Sequence, residues 1–127
     1  MGTEYHEPRE QLSERSIDMK RAIDSMREEL EAIDWYRQRM QATSSPELRG
    51  ILDHHQREEV EHFVMLLEWC RRNDEDFASM LREYLFTDKP VLAVEESATE
   101  GEAAAAAASG PTDGRRRTIG RIEEPQR

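Results

Sequence analysis

Residues 54–74 read HHQREEVEHFVMLLEWCRRND, and the phase of Glu59 and His62 within this stretch decides the fold. At 100° per residue, Leu48, Leu52, His55, Leu66 and Cys70 all fall within about 40° of Glu59, while His62 leans about 60° to one side. The stretch is therefore a helix whose apolar stripe carries a carboxylate near its middle. Upstream, Ser44 and Glu47 form a capping box around Pro46, which starts this helix; it is expected to run to about Arg72. Arg71 and Arg72 offset the dipole at its C-terminal end.

The preceding segment has the same period. Leu12, Ser16, Met19, Ile23, Met26, Leu30, Ile33, Arg37 and Met40 recur at steps of three and four, a seam along one long helix from about Pro8 to Gln41. Ala22, Met26, Ile33, Tyr36 and Met40 surround Glu29 on its face. The connection to the next helix is short, so the two are antiparallel neighbours. Asn73 or Asp74 caps a third, shorter helix bearing Phe77, Met80, Leu81, Tyr84 and Leu85, and Thr87-Asp88-Lys89-Pro90 ends it. Met19, Met26, Met40, Met65 and Met80 are read as core filler and Cys70 as a buried small hydrophobe.

Residues 1–96 thus form one all-α unit, an antiparallel two-helix hairpin plus a short third helix. From Ser97 the composition changes to Ala, Gly, Ser and Thr, read as a flexible linker over 97–117. The last segment, 118–127, carries Ile119 and Ile122 among arginines. Within 127 residues there is room for one small core. Charged residues make up 36% and the net charge is -10. The excess acid belongs to residues 1–96, because residues 97–127 hold equal numbers of acids and bases. Such a balance argues against nucleic-acid binding and favours cations and partner subunits. One cysteine excludes an internal disulfide framework. No apolar run suits a membrane span, and the N-terminus has no signal-peptide core.

A carboxylate among apolar neighbours is costly unless it is paired or bound to a metal. This chain offers Glu29 on one helix and Glu59-x-x-His62 on the next. Carboxylate di-iron bundles use two of each, so two copies of the chain would complete the set. An oxygen-rich set with one imidazole per metal suits iron or manganese better than structural zinc. An acidic hairpin that dimerises without metal, acting as an adaptor, fits the same pattern.

MREELEAIDWYRQR at 26–39, the stretch quoted above and LREYLFT at 81–87 together resemble the encapsulated ferritin family. The resemblance implies a ferroxidase that oxidises Fe(II) with dioxygen. Its di-iron centre would be held by Glu29, Glu59 and His62 from each of two chains, with the Glu59 carboxylates bridging two irons per dimer interface. It implies Tyr36 beside that centre, and a second, more exposed metal site at Glu28, Glu31 and Trp35. Ca, Mn or Zn are the expected substitutes for iron. His54 matches a family histidine, whereas His55 departs from the more usual polar residue. The implied assembly is a dimer that restores a ferritin-like four-helix bundle, and a decamer of five dimers in a ring. The expected partner is an encapsulin shell, reached through the C-terminal segment TIGRI, and the expected location is an encapsulin nanocompartment in the prokaryotic cytoplasm.

Overall fold

A computed structural model describes residues 4–109. After a short 3-10 turn at Arg9–Gln11 come four helices: α1 (Glu14–Ala42), α2 (Pro46–Asn73), α3 (Glu75–Tyr84) and α4 (Val91–Ser109). No strand occurs among the described residues. The chain divides into two compact units, one ending at Cys70 and the other beginning at Arg71.

In the first unit, α1 starts later than the periodicity predicts, at Glu14. The reason is a local cap: the Ser13 hydroxyl accepts the backbone N–H of Ser16 at 3.1 Å. That bond satisfies a donor that the first turn cannot bond internally. The cap of α2 also sits one residue from its predicted place. Ser45, not Ser44, precedes the helix, and its Oγ accepts the N–H of Leu48 at 3.2 Å, leaving Pro46 at the first helical position. Arg49 then closes the turn, donating from Nε to the Met40 carbonyl at 3.1 Å and from a terminal nitrogen to the Thr43 carbonyl at 2.7 Å.

The hairpin is antiparallel, with Met19 opposite Cys70, Tyr36 opposite His55 and Arg37 opposite Gln56. Its end away from the turn is closed. Ile17 is 4% exposed and Met19 2%, Ala22 and Met26 are buried, and Cys70 is wholly buried with its thiol 3.9 Å from the Met19 sulfur. Towards the turn Trp35, Leu48 and Ile51 are exposed, although Leu52 and Gln56 are buried. Leu30, at the middle, and Val64, Met65 and Trp69, on the outer face of α2 beyond it, are exposed too. Core expectations therefore change at Leu30, Leu48, Met65 and, in the second unit, Leu85. Leu48 lies too near the turn for α1 to cover it. Met65, 63% exposed, projects about 120° from Glu59, off the seam that meets α1.

In the second unit Asp74 caps α3, accepting the Phe77 N–H at 2.9 Å. The helix stops at Leu85, and Phe86 follows with φ 60°, side chain in solvent. That left-handed turn position is usually filled by glycine. Helix α4 packs against α3, with Val94 buried. The composition predicts a linker from Ser97, but the structure carries helix through Ser109. Alanine has the highest helix propensity, and here a helix already begun at Val91 removes the nucleation cost. The segment 118–127 lies outside the described residues. No described helix is long and apolar enough to cross a membrane.

Candidate metal centre

Three side chains from the middle of the hairpin meet. Among the described residues, Glu29, Glu59 and His62 form the group whose ligand atoms all lie within 4.8 Å of one another. Helix α1 supplies Glu29, and α2 supplies the other two from successive turns of one face. Nδ1 of His62 donates to Oε2 of Glu59 at 3.1 Å and lies 3.8 Å from Oε2 of Glu29. The carboxylates are 23% and 22% exposed, and the imidazole 47%.

The electrostatics follow from that crowding. The hydrogen bond to Glu59, then burial, then the Glu59 charge push the Glu29 carboxyl above the usual carboxylate range. Glu59 moves the other way, held down first by the hydrogen bond with Glu29 and then by His62, against burial. The His62 imidazole is raised, chiefly by its bond to Glu59. Two carboxylates and one imidazole converging at this distance fit a divalent ion that prefers oxygen.

The other residues singled out in the sequence lie around this group. Tyr36 is half-buried on α1, and its ring meets the half-buried His55 edge-on at 5.3 Å between centroids. The Arg39 guanidinium stands 5.5 Å from the Tyr36 ring and 6.0 Å from Trp35. Exposed His54 pairs with Glu58 at 3.0 Å. Glu28, Glu31 and Trp35 are exposed on α1 and stay outside the convergent group. Periodicity did not single out Gln56, which is buried and bonded to Arg37 across the hairpin. A glutamine within an apolar stripe was the available signal.

A family model described as EncFtn-like matches residues 4–88, which include all three converging side chains. The chain belongs to the encapsulated ferritin family. It is 54% identical over 97 residues to a protein of Rhodospirillum rubrum named encapsulated ferritin-like protein, covering 76% of this chain and 69% of that one. A ferritin-like protein of Thermotoga maritima is 46% identical over 101 residues, covering 80% and 89%. A crystal structure of a Nitrosomonas europaea protein superposes with a TM-score of 0.66 at 54% identity, over 68% of this chain and 97% of that one. The all-helical fold is thus that of an encapsulated ferritin-like protein.

Proposed function

We propose that this encapsulated ferritin-like chain is a ferroxidase whose di-iron centre is completed by a second copy of itself. The observation that carries the reading is the convergence of Glu29, Glu59 and His62 within 4.8 Å beside an uncovered apolar face. One chain offers two carboxylates and one imidazole, half of the ligand set that carboxylate di-iron bundles use. Ile51, His62, Met65 and Trp69 share one exposed stripe of α2, so a partner that covers it brings its own ligands to the same place.

Fe(II) is the substrate. Binding it favours the deprotonated forms of Glu29 and His62, and ionised carboxylates favour the harder Fe(III) product. Two Fe(II) ions lose one electron each, and dioxygen takes up both electrons together with two protons. Holding two ions at once allows that two-electron step in one encounter. Tyr36 shares the face of Glu29 two turns on, and the proposal gives it a hydrogen bond to a ligand. Glu28, Glu31 and Trp35 are the proposed outer site on the path of the metal.

Dimers would assemble as a ring of five. The Rhodospirillum rubrum relative's name, encapsulated ferritin-like protein, supports delivery of the product into an encapsulin shell; the proposal puts that shell in a prokaryotic cytoplasm and makes 118–127 the docking peptide. The test is aerobic addition of Fe(II) to purified protein. Growth of near-ultraviolet Fe(III) absorbance above the buffer blank supports the reading. A flat trace from intact dimers favours the adaptor, and uptake of Mn(II) or Zn(II) without turnover favours a non-catalytic metal protein. Co-expression with the cognate encapsulin tests the address: a chain ending at Ser109 should oxidise iron yet fail to co-purify with shells.

A further inference from the structure

The polar contacts between α1 and the site form a ladder. Gln56 is only 9% exposed, and both ends of its amide are used. Its Oε1 accepts from Nε of Arg37 at 3.2 Å, across the hairpin. Its Nε2 donates to Oδ1 of Asp53 at 3.3 Å, and Oδ2 of Asp53 is held by Arg57 at 3.0 Å. The neighbouring pair, Tyr36 and His55, forms an aromatic rung at the same level. Glu59 lies one turn further along α2.

We propose that Gln56 and Arg37 are positioning residues that set the register of α1 against α2 and so preset the spacing of Glu29, Glu59 and His62. Apolar helix faces repeat every three or four residues, so they tolerate neighbouring registers. A buried amide does not, because a slip strands its donor and acceptor away from water. Metal ligands, in turn, need placement to about half an ångström. The turn clamp at Arg49 fixes one end of the hairpin, and the Arg37–Gln56 bond fixes it again between turn and site. The role in metal binding rests on the proposed metal centre; the register itself does not.

The test pairs a metal-free distance measurement with a metal titration on the full chain. Spin labels at Asp34→Cys and Glu61→Cys report the α1–α2 separation, with wholly buried Cys70 left in place and labelled chain diluted into unlabelled protein. Free Mn(II) is followed by its own resonance. Gln56→Met should keep the thermal midpoint, since a similar-sized apolar side chain replaces a buried polar one at little cost. It should nevertheless broaden the label distances and weaken Mn(II) binding about tenfold. Arg37→Leu should repeat this, and Arg37→Lys, which keeps a donor, should restore part. Leu52→Ala, a buried control, should lower the midpoint without broadening. Unchanged distances in both Gln56→Met and Arg37→Leu overturn the proposal, as does broadening that merely tracks lost stability in the control. If the wild-type chain takes up no Mn(II), the metal-centre reading fails, while the distance distributions still decide the register.

Discussion

The two ends of the α1–α2 hairpin were built to different standards of completeness. Away from the turn, Ile17, Met19, Ala22, Met26 and Cys70 are buried, and two sulfurs touch. From the middle towards the turn, the same helices expose Leu30, Trp35, Leu48 and Ile51, and on the seam the Glu29 carboxyl is pushed up by its neighbour Glu59. Both ends obey one helical period. The difference is that the first has its apolar surface covered already, whereas the second carries charge on its seam and apolar surface beside it. The closed end should carry most of the stability, and the open stripe is where, on the proposed function, a second chain and a cation would fit.

The sharpest way to break this contrast is at the ligands. If the centre is shared as proposed, Glu59→Ala removes one carboxylate from each of two chains, so Fe(II) oxidation should fall at least about a hundredfold, while far-ultraviolet circular dichroism stays helical. Oxidation at the wild-type rate would place the chemistry elsewhere. At the closed end the outcome should invert. Ile17→Ala should cost about 2–4 kcal/mol of unfolding free energy in a denaturant titration and leave oxidation per folded chain intact.

Met65→Lys puts a charge on the open apolar stripe. It should weaken self-association about tenfold or more in sedimentation across a dilution series, with little change in secondary structure. An unaltered profile would show that this stripe is not the interface.

The smallest effect is in protons. Glu29 and His62 are both raised, so the metal-free site gives up its protons at higher pH than a free carboxylate and imidazole would. Metal must displace them. Apparent Mn(II) affinity should therefore rise with pH through the range where His62 titrates, and calorimetry in buffers of different ionisation enthalpy should show proton release. His62 also links to folding. A raised imidazole adds stability below its unfolded value that is lost as pH rises through the folded one. Acid should then stabilise the metal-free open end slightly while weakening its metal binding. The cost of Ile17→Ala should not change across the same range.

Much of this was legible in residue spacing. The phase of Glu59 and His62 on α2 and of Glu29 on α1 needs only 100° per residue, and antiparallel pairing needs only a short turn. Caps were legible to within a residue, because neighbouring serines at 44 and 45 offer the same hydroxyl and only the backbone chooses between them. Leu48 sits on the apolar face, but periodicity does not say whether anything covers it, and Met65 reads as core from residue type alone although its phase sets it off the seam. The alanine run was read as linker since composition alone does not reveal that a helix begun at Val91 would carry through it.

By itself, the amino-acid order determined the helices, their pairing and the face on which each acid sits, all consequences of local geometry repeated along a chain. Only the tertiary structure decided that Glu29 comes within 4.8 Å of Glu59 and His62, that buried Gln56 bonds Arg37 across the hairpin, and which apolar residues are covered and which are left open. Those facts depend on register and burial between distant segments, which no local period encodes.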